Sequence, residues 1–68
     1  MDSVIIQVRK YRKSVLVQFV NPETGEIIYD MQFHSITAPL SEIIRGIEQL
    51  SAGQFGDAAV SWDVKIDE

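Results

Sequence analysis

The chain contains no cysteine in its 68 residues. A disulfide framework and a cysteine-ligated zinc site are both excluded, so neither can reinforce the core. A chain of this size buries only about 60% of the surface that its unfolded form exposes, which leaves its stability small. We therefore expect either an efficiently packed core or apolar surface that is buried in an oligomer or against a partner.

Long apolar runs are also missing. The longest, residues 4–6 and 15–17, are far shorter than the ~20 residues needed to span a bilayer. The residues before Val4 carry no basic side chain and lead into an apolar run that is too short for a signal peptide. We expect a cytoplasmic protein with no membrane partner.

Motifs of catalysis and of metal binding are missing too. His34 is the only histidine, and without a cysteine or a suitably spaced carboxylate pair it predicts no metal site. No nucleophile elbow surrounds any serine, and Gly53 and Gly56 end a helical pattern instead of opening one, so no phosphate-binding loop is predicted. We predict that the protein is not an enzyme and binds no cofactor.

What the chain does have is a change of hydrophobic period. Apolar and polar residues alternate with period two in four segments, which predicts strands over 4–9, 15–20, 26–34 and 60–66. Between the last two segments the apolar residues recur at helical spacing, which predicts a helix over about 39–51. The apolar face of that helix carries Leu40, Ile43, Ile44, Ile47 and Leu50.

Turn and capping residues separate these segments. Asn21 before a proline predicts a turn that the asparagine side chain caps, and Gly25 can take the positive φ that closes the hairpin. Thr37 is the predicted N-cap of the helix, with Pro39 at an early helical position where its missing N–H costs nothing.

These elements predict a single α+β domain over residues 1–68, in which a four-stranded mixed sheet carries one helix on one face. The first three strands are expected to be antiparallel. Because the helix returns the chain across the sheet, the last strand should run parallel to the first. We predict that the last strand lies beside the first and the third lies at the opposite edge; the alternative places the last strand beside the third.

The alternation assigns each apolar residue to a face of the sheet. The set predicted to meet the helix is Val4, Ile6, Val8, Val15, Val17, Phe19, Ile27, Tyr29, Met31, Phe33, Val60, Trp62, Val64 and Ile66. Met31 and the aromatic residues of this set could line a ligand pocket. One helix over four strands leaves little cavity in so small a domain, however, so we expect a simple packed core.

The second face of the sheet has no predicted helix to cover it. It mixes apolar with polar residues, as partner-binding surfaces do, and a solvated sheet face is the alternative interpretation. The residues predicted to bind a partner are Ile5, Gln7, Leu16, Gln18, Val20, Ile28, Asp30 and Gln32.

Charge is distributed unevenly along the chain. The net charge is −4, from ten acidic and six basic residues, whereas a nucleic-acid binder of this size is usually basic. Four of the six cations lie within five residues, which predicts a basic hairpin tip on an acidic body. Cations interleaved with an aromatic ring can contact phosphates and bases, and a solvated tip is the alternative interpretation. The residues of this tip are Arg9, Lys10, Tyr11, Arg12 and Lys13.

Two families share local features with the chain. Three strands followed by a helix, with the turn Asn-Pro-Glu-Thr-Gly at 21–25, resemble the arm-binding domains at the N-termini of tyrosine-type phage integrases. That resemblance implies a sheet face that reads the DNA major groove, although the outer face here carries glutamines, aspartates and isoleucines where that family has an array of arginines. Residues 17–28 are similar to the hairpin of the flagellar FlaG family, whose Ile-Pro-Pro-Glu pattern is missing here. Each resemblance covers at most residues 15–50.

These observations predict a small acidic protein-binding module that covers a surface of a larger partner, in the manner of small phage or plasmid inhibitors of host machinery. The alternative function is nucleic-acid binding through the basic tip. We also expect either a weak homodimer through the second sheet face or a complex with a different protein there, instead of an obligate dimer. Burying Asp30, Asp63 and Lys65 unpaired would cost more than the apolar patch returns.

Overall fold

The computed structural model describes residues 2–34 and 38–67. Its elements are β1 (Ser3–Lys10), β2 (Ser14–Val20), β3 (Ile27–His34), α1 (Leu40–Phe55) and β4 (Ala59–Ile66). The predicted α+β fold is confirmed, since a four-stranded mixed sheet is combined with one helix in the described residues. The predicted N-cap, Thr37, lies outside the described residues.

The strand order is β3-β2-β1-β4. β1 pairs antiparallel with β2, β2 pairs antiparallel with β3, and β4 pairs parallel with β1. The predicted order is therefore confirmed. The parallel pair requires a crossover connection, and α1 supplies it by carrying the chain from the end of β3 back to the start of β4.

The turn between β2 and β3 has the predicted chemistry. The Asn21 side-chain oxygen accepts a hydrogen bond from the Glu23 backbone N–H at 2.9 Å. The Gly25 N–H donates to the Asn21 carbonyl at 2.7 Å, with Gly25 at a φ of 76°. Because a side chain is strained at that φ, glycine is the residue this position requires.

The helix is longer than the sequence predicts. It spans Leu40–Phe55, so Gly53 lies inside it and Gly56 alone ends it. Gly56 has a φ of 63° and its N–H donates to the Ala52 carbonyl at 3.0 Å, which satisfies an orphan carbonyl of the last turn. Pro39 is the N-cap residue, with a φ of −60° and a ψ of 149°, instead of a residue of the first turn.

The core is confined to the two central strands and the helix above them. Ile47 and Ser51 of α1 are buried, and Leu40, Ile43 and Phe55 pack against the buried cluster from the same helix. The sheet contributes the residues of β1 and β2 that are at most 1% exposed. These are Val4, Ile6, Val8, Val15, Val17 and Phe19.

An aromatic cluster joins the end of α1 to the sheet. The Phe19 ring lies 5.9 Å from the Tyr29 ring and 5.6 Å from the Phe55 ring, measured between centroids. The Tyr29 hydroxyl donates a hydrogen bond to the Gln54 side-chain oxygen at 2.8 Å. These contacts fix the last turns of α1 against β2 and β3.

The outer strands are covered less than the sequence predicts. A helix is about 10–12 Å across with its side chains, whereas three strand spacings make the sheet about 14 Å wide between its outer strands. One helix therefore covers two strands and leaves the margins exposed. The residues for which predicted burial is wrong are Ile27, Tyr29, Phe33, Leu50, Val60, Val64 and Ile66.

The start of β3 departs from simple alternation. Phe19 pairs with Tyr29, but the next residue of β2, Val20, pairs with Ile27, so β3 has one extra residue between these pairs. This β-bulge places Ile27 on the side of Val20, where it is 50% exposed, while Ile28 packs against the buried cluster. Ile27 is therefore not a core residue, and Ile28 is not a free member of the second face.

Candidate functional site

The sheet face opposite α1, here called the open face, has no covering element in the part of the chain that the structure describes. The strand register arranges its residues in rows across the sheet. One row places Ile27 beside Val20, Val20 beside Ile5, and Ile5 beside Ser61. We call Ile5, Val20 and Ile27 the apolar row; Val20 is buried, Ile5 is half-buried and Ile27 is exposed.

Two mixed rows lie beyond the apolar row. They are Asp30–Gln18–Gln7–Asp63 and Gln32–Leu16–Arg9–Lys65. Leu16 is therefore separated from the apolar row by two glutamines. Of the residues predicted to bind a partner, Ile5 and Val20 come together, and the bulge adds Ile27 to them in the position predicted for Ile28.

Arg9 belongs to the open face and carries an ion pair there. Its guanidinium donates to the Asp63 carboxylate at 3.0 Å and to the Asp63 carbonyl at 2.9 Å, with a further bond to the Val8 carbonyl at 3.1 Å. The two charged side chains are 23% and 42% exposed. Because the charge of Arg9 is paired with that of Asp63, Arg9 adds less positive charge to the basic tip than its position in the sequence predicts.

The hairpin tip itself is small. Arg9 and Lys10 are residues of β1, and only Tyr11, Arg12 and Lys13 lie between the two strands. These three side chains are exposed. The Lys10 ammonium donates to the Tyr11 carbonyl, and the Asp67 N–H donates to the Lys10 carbonyl at 2.6 Å.

The opposite end of the sheet is acidic. The apolar row lies at this end, next to the turn that follows Val20 and beside the start of β4, where the Ala59 N–H donates to the Asp2 carbonyl at 3.0 Å. The exposed carboxylates of this end are Asp2, Glu23, Glu26 and Asp57. The molecule therefore has a basic end and an acidic end, and its apolar row belongs to the acidic end.

An apolar groove lies on the other face, between α1 and β3. Its volume is about 420 Å³. Phe33 and Leu50, which face it from the strand and the helix, are 41% and 40% exposed. Its lining is Met31, Phe33, Glu42, Ile43, Gly46, Ile47 and Leu50. The groove is open to solvent and lies at the margin of the buried core, where Met31 and Phe33 are two of the residues that could line a ligand pocket.

A second, smaller groove lies on the other side of the helix, against β4. Its volume is about 230 Å³, and Trp62 and Val60 form its floor with Ser51 and Ala52 of the helix beside them. Glu48 and Gly56 complete its lining, which makes it more polar than the groove at β3. The pair of grooves is the direct result of placing one helix over the middle of four strands.

The described residues contain no cluster of three or more histidine or acidic side chains that could hold a metal ion. They also contain no helix that is both long enough and apolar enough to cross a membrane. Comparisons of the chain with protein-family models, with curated proteins and with solved structures found no match. The class of this protein is therefore defined by its own fold, a two-layer α+β domain with one open sheet face.

Two features of the surface were missed by sequence reasoning. The alternation assigns Ile27 to the core. The consecutive apolar pair Ile27-Ile28, which follows the turn closed by Gly25, interrupts this alternation and indicates a bulge. The groove at β3 has no such signal, because Met31 and Phe33 have the same pattern as buried strand residues. Their exposure depends on where the helix lies across the sheet.

Proposed function

We propose that this chain is a small, non-enzymatic protein-binding module that covers a surface of a larger protein partner through the acidic end of its open face. The observation that carries the proposal is the apolar row. Ile5, Val20 and Ile27 come from three adjacent strands and are continuous across the sheet. An apolar patch with a polar rim is typical of a protein interaction site.

Charge supports a particular chemistry for the partner. The apolar row is bordered by the glutamine and aspartate row on one side and, on the other, by the turn that carries the exposed residues Glu23 and Glu26. Complementary charges accelerate association and discriminate against wrong partners. The expected partner surface is therefore apolar at its centre and has lysine or arginine at its rim. A small acidic protein of this kind would act by occupying that surface, as inhibitors of host machinery do.

The experiment uses two isoleucines of similar exposure. Ile27 in the apolar row is 50% exposed, and Ile66 on β4 is 59% exposed. Ile27→Glu and Ile66→Glu should each change folding stability by no more than about 0.5 kcal/mol, since both side chains are already largely in water. Circular dichroism and urea unfolding check this before binding is measured.

The wild-type chain and both variants are then used to capture proteins from the source cells, and the captured partner is purified and titrated by calorimetry. Ile27→Glu should weaken binding by about 2 kcal/mol or more, roughly 30-fold, because it places a charge in the centre of the interface. Ile66→Glu should bind like the wild type. A partner that binds Ile27→Glu as tightly as the wild type, but binds Ile66→Glu weakly, would contradict the proposed surface.

The second candidate function is nucleic-acid binding through the basic end, and the exposed side chains of Tyr11, Arg12 and Lys13 favour it. Its test is a salt titration of binding to a short duplex and to a single strand. Affinity should fall steeply with salt and should collapse when Arg9, Arg12 and Lys13 are neutralised together. Because Arg9 is paired with Asp63, neutralising Arg12 and Lys13 alone should produce most of the effect. Absence of binding at low salt would exclude this function.

A further inference from the structure

β3 forms one of the two edges of the sheet, and the larger and more apolar of the two grooves described above lies beside it. β3 is the outermost strand beside β2, and no described strand pairs with its other side. The apolar groove between α1 and β3 lies directly beside this edge, with Phe33 41% exposed at its rim. An edge strand that presents unpaired backbone groups is a template for pairing with another strand. Alternate side chains of an added strand would then reach the groove.

We propose that the occupant of this edge is a second copy of the same chain. In the proposed dimer, β3 pairs antiparallel with β3 of the second copy about a two-fold axis perpendicular to the sheet. The two sheets join into one sheet of eight strands, and both helices lie on the same side of it. Such an isologous interface uses one surface twice, so a single sequence supplies both halves. This inference does not depend on the partner proposed for the open face.

The polar side chains of β3 favour one register. A two-fold axis of this kind pairs residues that lie on the same face of the sheet. It must therefore lie midway between the two copies of a single residue, which then pair with each other. Centred on Gln32, the pairing places Asp30 of each copy opposite His34 of the other, and Gln32 opposite its own copy. Centred on Asp30, it would place two aspartates together. Centred on Met31, it would pair Asp30 with Gln32 and leave the imidazole of His34 without the carboxylate of Asp30 as an acceptor.

The same register is complementary on the other face. With Gln32 at the centre, Met31 of each copy lies opposite Phe33 of the other. Both side chains line the groove, so the two grooves face each other across the axis and the exposed Phe33 rings are covered from both sides. Sulfur-aromatic contacts of this kind are favourable. Leu50, which is 40% exposed at the rim of the groove, lies next to the joined apolar layer.

The pairing uses residues 30–34 of each strand, which gives five paired positions. Interfaces this short belong to the small and reversible class, below about 1,200 Å² of total buried surface. The expected assembly is therefore a dimer that dissociates on dilution. It would also extend the open face from four strands to eight while leaving the apolar row of each copy accessible.

The absence of cysteine makes a direct test of the register possible. In the variant Gln32→Cys the two introduced thiols face each other across the axis, at a separation that a disulfide can bridge. With oxidised glutathione, the covalent dimer should form on the order of 100-fold faster than in the control Gln18→Cys, because paired thiols have a high effective concentration. Gln18 lies on the same face but in an interior strand.

A pair of variants tests the predicted pairing of position 30 with position 34. Asp30→Cys alone and His34→Cys alone should form covalent dimers no faster than Gln18→Cys, whereas an equal mixture of the two should form a heterodimer rapidly. Rapid self-linkage of Asp30→Cys, or equal rates for Gln32→Cys and Gln18→Cys, would overturn the proposal.

Sedimentation measures the association itself in the protein without cysteine. Phe33→Glu should weaken the dimer by about tenfold or more, since it places a charge in the joined groove. Ile66→Glu, on the opposite edge strand and 59% exposed, should leave the dimer unchanged. Circular dichroism verifies that both variants are folded. A wild-type chain that remains monomeric at millimolar concentration, or a dimer that only Ile66→Glu dissociates, would refute pairing at β3.

Discussion

Phe19 and Phe33 provide a matched pair of substitutions, because both occupy the same face of adjacent strands and both follow the same apolar alternation. Phe19 is 0% exposed and its ring contacts the rings of Tyr29 and Phe55. Phe33 is 41% exposed and has no aromatic ring paired with it in the described residues. Replacing each phenylalanine with leucine therefore tests how far the core extends across the sheet.

The expected losses differ severalfold. Phe19→Leu removes two ring-ring contacts worth about 0.5–1.5 kcal/mol each and leaves a small cavity, so we expect about 2–3 kcal/mol of destabilisation. Phe33→Leu should change the free energy of unfolding by less than about 0.5 kcal/mol. Because a chain of this length has a total stability of about 3–10 kcal/mol, the loss in the Phe19 variant is a large fraction of that total and is readily distinguished from the loss in the Phe33 variant.

The assay is urea unfolding followed by the fluorescence of Trp62, at a protein concentration low enough to keep the chain monomeric. With a slope of about 1 kcal/mol per molar urea, the midpoint of Phe19→Leu should lie about 2–3 M below that of the wild type. The midpoint of Phe33→Leu should move by less than about 0.5 M. Equal shifts for the two variants would refute the conclusion that the helix covers only the central strands.

Three further predictions follow from local geometry. Gly46→Ala should stabilise the helix by about 0.5–1 kcal/mol, since a Cβ there meets no atom within 4 Å. Gly56→Ala should destabilise it by about 1 kcal/mol or more, because a side chain is strained at its φ of 63°. Thermal unfolding of both variants checks that the two changes have opposite signs. A double-mutant cycle on Arg9 and Asp63 should give a coupling below about 1 kcal/mol that decreases in 1 M salt, because both side chains are partly exposed. Asn21→Ala should cost about 1 kcal/mol in urea unfolding, since it removes the side-chain acceptor of the turn; no loss would show that the proline alone defines that turn.

Local patterns in the sequence are enough to predict the secondary-structure elements and their succession along the chain. Period-two alternation and helical spacing predicted all four strands and the helix, because apolar periodicity follows directly from the geometry of each element. Asn21 and Gly25 predicted the turn, because a side-chain acceptor and a positive φ are local requirements. The parallel direction of β4 also follows, since the helix must return the chain across the sheet, whereas its place beside β1 and not beside β3 is given by the structure.

Which residues of a face are buried and which are exposed to solvent depends on contacts between elements that are distant in the sequence. The alternation assigns Phe19 and Phe33 to the same face of the sheet. One helix is wide enough to cover Phe19 in β2 but not Phe33 in β3. The bulge that moves Ile27 beside Val20 depends on how the turn joins two strands, and the pairing of Arg9 with Asp63 joins residues 54 positions apart. The groove at β3 arises from where the helix lies across the sheet and has no local signal, whereas the apolar row has one in the consecutive pair Ile27-Ile28.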